Sequence, residues 1–151
     1  MNTQKILNTF KPVKENLLPI LHSLQNSHPQ NYLSNATLKA IAKYLNISLS
    51  SVYGVVGYYS MFSLKPRGRY IIRVCTSPIC AMIGSQDILT YLSQRLDVNL
   101  GETTLDGVFT LEASECLGQC ANAPSMMINK QHYGNLTPEL IESILQQLQN
   151  S

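Results

Sequence analysis

Over roughly the first sixty residues, apolar side chains recur at helical spacing. In KENLLPILHSLQN the repeat is Leu17, Ile20, Leu21 and Leu24, with Pro19 either kinking the helix or sitting in its first turn. NSHPQNYLS is a polar break. SNATLKAIAKYLN then puts Leu38, Ile41, Ala42 and Leu45 on one face, with Ser34 or Asn35 as the N-cap. ISLSSVYGVVGYYSMF is ambiguous. Val52, Val55, Val56 and Tyr59 fit a helical stripe, whereas the β-branched residues, Gly54 and Gly57 weaken it. Its place after two short helices favours a helix. Pro66 and Gly68 in LKPRGRY end the helical run.

Beyond residue 69 the pattern changes. YIIRVC is short, apolar and β-rich, a buried strand ending at Cys75. SQDILTYLSQRL is an amphipathic helix with Ser85 as its expected N-cap and Ile88, Leu89, Leu92 and Leu96 facing inward. GVFTLEASEC sets Val108, Thr110 and Glu112 against Phe109, Leu111 and Ala113, a strand that ends at Cys116. SMMIN and QHYG read as two short strands around a turn near Asn129 and Lys130. TPELIESILQQL is the clearest helix: Thr137 caps it, Pro138 takes the first position, and Leu140, Ile141, Ile144, Leu145 and Leu148 form its stripe. The order β-α-β-β-β-α implies a small sheet with two helices packed on it, following an N-terminal helical bundle. The expected class is α+β, with a bundle over residues 1–64 and a second domain over 65–151.

Composition changes this picture little. A chain of 151 residues is long enough to bury a core without crosslinks. The net charge of +2 is small and scattered, and gives no ground for a nucleic-acid partner. Apolar runs are far shorter than a membrane span. The start, MNTQKILNTF, has neither the apolar core of a secretory signal nor the arginines of a transit peptide, so a cytoplasmic location is expected. Disulfides are uncommon in that compartment, where paired cysteines more often hold a metal or carry out redox chemistry.

The four cysteines are therefore the chemistry to explain. Cys75 and Cys80 lie in CTSPIC, Cys116 and Cys120 in CLGQC, and the chain contains no others. Each pair begins where an expected strand ends. If those strands are neighbours, the two loops share one sheet edge and four thiolates converge. Gly84, Gly118, Ala121 and Ala123 are small enough for main-chain N–H groups to approach sulfur, and such hydrogen bonds tune a cluster's potential. Three chemistries compete. A 2Fe–2S cluster takes two thiolates per iron. A structural zinc also takes four, usually from pairs separated by about two to four residues in short knuckle turns, a range with the Cx4C of CTSPIC at its loose end. A redox disulfide usually uses C-x-x-C, which neither pair has. Spacing favours iron–sulfur and leaves all three open.

VCTSPIC, GETTLDGVFTLEASECLGQCANAPSMMIN and YGNLTPELIESIL together resemble the small 2Fe–2S subunit of NADH dehydrogenase (respiratory complex I), from about Leu17 to Leu148. SVYGVVGYYSMF resembles that family's helix before the ferredoxin domain, with Gly57 and Tyr58 where threonine and phenylalanine are common, and Tyr32 where tryptophan is frequent. The resemblance implies a thioredoxin-like ferredoxin domain behind a helical bundle. It also implies a 2Fe–2S cluster held by Cys75 and Cys80 on one iron and Cys116 and Cys120 on the other. No nucleotide or flavin motif stands in the sequence. The resemblance puts NADH and FMN on a larger flavoprotein partner, within an NADH:quinone oxidoreductase peripheral to the cytoplasmic side of the inner membrane. NAD-linked hydrogenases and formate dehydrogenases contain similar chains. A zinc-stapled interaction module is the reading from a different class.

Other residues invite blander readings. Tyr53, Tyr58, Tyr59 and Phe62 fit a core stripe better than a partner surface. His22, His28 and His132 stand alone and read as surface or satisfied core residues. Lys65, Arg67, Arg69 and Arg73 form either a basic face or an ordinary solvated one. Pro124, just before SMMIN, is a candidate cis-proline, because thioredoxin-like folds often have one there.

Overall fold

The computed structural model describes residues 3–150; Met1, Asn2 and Ser151, which the expected domains include, lie outside the described residues. The chain divides into two compact units at Arg67/Gly68. That division falls three residues beyond Leu64. Arg67 belongs to the first unit because its main-chain N–H donates to the Gln30 carbonyl and its guanidinium to the carbonyls of Asn31 and Met61.

The first unit is helical: α1 (Thr3–Leu7), α2 (Leu17–Ser27), α3 (Asn35–Leu45) and α4 (Leu49–Tyr58). The stripes of α2 and α3 are buried throughout, together with Leu7, Leu33, Val52, Val56 and Phe62. Pro19 sits in the first turn of α2, where its missing N–H costs no helical hydrogen bond. Ser34 is the cap of α3, accepting from the Thr37 N–H. Ser48 caps α4 in the same way, so the ambiguous valine-rich segment folds as a helix. A buried glutamine ties down the segment after α4: Gln25 donates to the Met61 carbonyl and accepts from the Ser63 N–H. The tyrosine stripe is only half a core. Phe62 is buried and Tyr53 half-buried, but Tyr58 is 82% exposed because α4 ends there and its ring projects past the bundle.

The second unit carries a four-stranded sheet in the order β2-β1-β3-β4. β1 (Tyr70–Cys75) runs parallel to β2 (Phe109–Ser114) and antiparallel to β3 (Met126–Ile128), which in turn pairs antiparallel with β4 (Gln131–Tyr133). Between β1 and β2 lie a one-turn helix, α5 (Pro78–Met82), and α6 (Ser85–Leu96); α7 (Pro138–Gln149) comes after the sheet. The core joins Ile72, Val74, Leu111 and Met126 of the sheet to Leu92 of α6 and to Ile141 and Leu145 of α7. Thr137 caps α7 through the Leu140 N–H, with Pro138 in its first turn. Leu140 itself faces outward. The strand alternation holds for Phe109 and Leu111 but not beyond. Thr110 is buried because its hydroxyl accepts from the Gly68 N–H at 2.6 Å, and Ala113 is exposed where the strand leaves the core.

The four basic residues do not form one face. Arg67 is buried, Arg73 pairs across the sheet with Glu112 at 2.9 Å, and Arg69 lies over the Tyr70 ring. Among the described residues no helix is long and apolar enough to cross a membrane.

Candidate metal centre

Parallel pairing of β1 and β2 builds the site. Cys75, the last residue of β1, lies opposite Ser114, the last of β2, and Cys116 comes two residues later. Both strands therefore release their loops at one sheet edge. The first loop is locked at once. The Thr76 N–H donates to the Ser114 carbonyl at 2.9 Å and the Cys75 N–H to the Ser125 carbonyl at 3.0 Å. Pro78 then starts α5, which turns Cys80 back into the protein beside Cys75. Gly84 ends this turn with φ +107°, a left-handed conformation that glycine adopts without strain. Gly84, not Ser85, occupies the N-cap position of α6, and Ser85 is buried as the first helical residue.

The second loop wraps from Cys116 through a 3-10 turn at Cys120–Asn122 to the Ala123–Pro124 peptide bond, which is cis. Gly118, at φ +74°, donates its N–H to Cys116 Sγ at 3.4 Å. This is the close approach expected of a small residue; Gly84 serves the turn instead. The Leu117 N–H of the second loop is among the hydrogen bonds that lower the Cys75 pKa, which ties this loop to the first. Gly134, after β4, holds the 3-10 turn from below. A Cβ there would stand 2.5 Å from Asn122 Cβ and 2.7 Å from its carbonyl oxygen.

All four thiols are free, and they come in pairs. Cys116 Sγ and Cys120 Sγ are 3.7 Å apart, and Cys75 is within hydrogen-bonding reach of Cys80. Two sulfurs on one tetrahedral metal with bonds of about 2.3 Å stand about 3.8 Å apart. Four thiols in two pairs suit two metal ions with two sulfurs each. Cys75 and Cys80 are buried, Cys120 is partly exposed and Cys116 exposed, so the centre is enclosed on one side and open on the other.

Electrostatics agree. Burial works against ionisation of Cys75, but hydrogen bonds from the Ser77 side chain and N–H, the Leu117 N–H and Cys80 outweigh it, and the thiol sits below its ordinary range. Cys120 is pushed up, first by its hydrogen bond with Cys116, then by the charge of Cys116, by burial, and by the charges of Cys80 and Cys75. Four thiolates crowded in this way repel one another, and cationic metal relieves that repulsion.

Sequence reasoning missed two groups, the hydroxyls of Ser77 and Ser125, which lie 3.1 Å from Cys75 Sγ and 3.6 Å from Cys80 Sγ. The histidines take no part in the site. His22 packs against the Phe62 ring, and burial holds its pKa below the ordinary range. His28 Nδ1 accepts from the Gln30 N–H, and His132 pairs with Met127 across the sheet.

The model of the thioredoxin-like [2Fe-2S] ferredoxin family matches residues 3–149. The chain belongs to this family. Its cofactor is accordingly a 2Fe–2S cluster, and the zinc-stapled module is set aside. Among curated relatives, an NADH-quinone oxidoreductase subunit of Rickettsia felis is 38% identical over 89% of this chain and 80% of its own length. The corresponding subunit from Mycobacterium tuberculosis is 33% identical over 99% of this chain. The chain spans 59% of that relative's length. The NADP-reducing hydrogenase subunit HndA of Solidesulfovibrio fructosivorans is 34% identical over 89% of this chain and 78% of its own length. Among solved structures, an NAD+-reducing [NiFe]-hydrogenase in the air-oxidized state has a chain that superimposes with a TM-score of 0.77. It is 19% identical and covers 89% of this chain and 23% of its own, a likeness of fold.

Proposed function

We propose that this ferredoxin is the electron-transfer subunit of an NADH:quinone oxidoreductase, with Cys75 and Cys80 holding one iron and Cys116 and Cys120 the other. The observation that carries the ligand assignment is the pairing of thiols on two loops released at one sheet edge. When bound, the cluster takes up and gives back one electron at a time. The residues do the rest. Ser77, Leu117 and Gly118 direct hydrogen bonds at ligand sulfurs, α5 and β3 shield the buried pair from water, and the loop around Cys116 leaves the other side open to a partner.

That partner is a flavoprotein that binds NADH and FMN. Hydride transfer moves two electrons together, so a cofactor able to release them singly must stand between NADH and this centre. Ile79 and Met82 of the helix carrying Cys80, and Ile83 just after it, are exposed, with Met82 at 87%, apolar surface that suits coverage by a second protein. The relatives named as quinone oxidoreductase subunits favour a complex peripheral to the cytoplasmic face of the inner membrane. The HndA relative supports the second reading, a diaphorase subunit of an NAD-linked hydrogenase.

The test is reduction by NADH. The isolated, flavin-free chain is expected to stay oxidised with NADH alone, and its cluster to become reducible once the flavoprotein is added. NADH turnover by the isolated chain at the rate of the complex would overturn the assignment. Co-purifying subunits, a quinone-reducing membrane arm or a hydrogenase, separate the two hosts.

A further inference from the structure

The buried pair of cysteines is surrounded differently from the exposed pair. Cys75 and Cys80 each face a serine hydroxyl, Cys75 in addition to the N–H groups of Ser77 and Leu117, whereas Cys116 accepts from the Gly118 N–H. Ser77 Oγ is 3.1 Å from Cys75 Sγ, and Ser125 Oγ is 3.6 Å from Cys80 Sγ, an ordinary separation for the larger sulfur atom. Ser125 is wholly buried, so water does not compete for its hydroxyl. Its carbonyl accepts the Cys75 N–H, and the pairing of β1 with β3 that begins next to it holds the residue between both cysteines.

Once the sulfurs hold iron they carry no proton, so in both contacts the hydroxyl is the donor. Reduction adds one electron, and part of that charge falls on the sulfurs. A donor to sulfur stabilises the reduced, more negative state more than the oxidised one, and does so most strongly away from water. We propose that Ser77 and Ser125 are positioning residues for electron transfer, whose hydroxyls raise the potential at which the centre accepts its electron. This rests on the ligand assignment proposed above.

The experiment uses the full chain, anaerobic and iron-loaded, poised at set potentials with dithionite and read by the EPR of the reduced cluster. At the wild-type midpoint, Ser125→Ala and Ser77→Ala are each expected to lower the reduced-to-oxidised ratio by on the order of tenfold, the net worth of one hydrogen bond. That ratio is about 59 mV for a one-electron couple. Ser77→Thr keeps a hydroxyl at a partly exposed position and should restore the wild-type ratio. Ser93→Ala, which removes a hydroxyl of α6 bonded to the Val98 carbonyl just beyond that helix, should leave it unchanged. Alanine variants with full iron content and an unmoved or raised midpoint overturn the proposal. If Ser125→Ala does not load iron, the Ser77 alanine and threonine pair decides by the same criterion. A wild-type chain that binds no cluster refutes the ligand assignment itself, a different result from a full cluster with an unmoved potential.

Discussion

At the scale of single residues, the site depends as much on small side chains as on the cysteines. Gly134 has no room for a Cβ against Asn122, and Asn122 ends the 3-10 turn that begins with Cys120. Gly134→Ala must therefore push main chain apart. The expected cost is about 1–3 kcal/mol, the usual range for overpacking, with iron content falling along with the melting temperature. Unchanged values for both would mean the turn moves freely and does not position Cys120. The cysteines were legible in the sequence because their type and pairing are intrinsic to it. The hydroxyls of Ser77 and Ser125 were not, since nothing in CTSPIC or APSMM shows which way a serine points. The Leu117 N–H could not be read either, because its approach to Cys75 depends on the register of β1 against β2.

At the scale of elements, legibility tracked length. α2, α3, α6 and α7 each run for three turns or so, and their apolar period is visible. α1 and α5 have five residues each, too few to show a period, and went unread. The valine-rich α4 lies between the two cases: its composition suits a strand, and its capping serine decides for a helix. The helices of the second unit are also joined by charge. Arg95 of α6 forms a two-pronged pair with Glu142 of α7, both contacts at 2.7 Å, and Tyr91 adds a third hydrogen bond. The hydrogen bonds from Arg95 hold the Glu142 carboxyl down at about 2, from an ordinary value of 4.5. A carboxyl lowered by folding contributes stability that is complete above its ordinary range and is lost as pH falls towards the folded value. The difference in melting temperature between wild type and Glu142→Gln should therefore be full at neutral pH, shrink between about pH 4.5 and 2, and vanish below that. A difference independent of pH would show that the pair acts through packing and not charge. Its size should be modest, because Arg95 is exposed and Glu142 only half-buried, so solvent screens the pair.

For the whole molecule, the neighbouring placement of β1 and β2 was a condition stated from the sequence, and the structure meets it; the full order β2-β1-β3-β4 was not legible, because pairing partners are set by tertiary packing. Each unit has its own core. We propose that the flavoprotein over the open side of the centre is also held by the helical unit, which contributes most of the binding. A chain beginning at Gly68 should then keep the brown colour of its cluster and lose co-purification with the flavoprotein. Undiminished affinity would place the interface on the second unit, at the CLGQC loop. The central claim, a cluster on four cysteines, has a more direct test in metal analysis of the anaerobically purified chain and of its four single Cys→Ala variants. Each wild-type chain should hold two irons and two sulfides, give an EPR signal on reduction, and lose iron sharply on replacement of any one of Cys75, Cys80, Cys116 or Cys120. Stoichiometric zinc without iron, or full iron retained in Cys116→Ala, would contradict that claim.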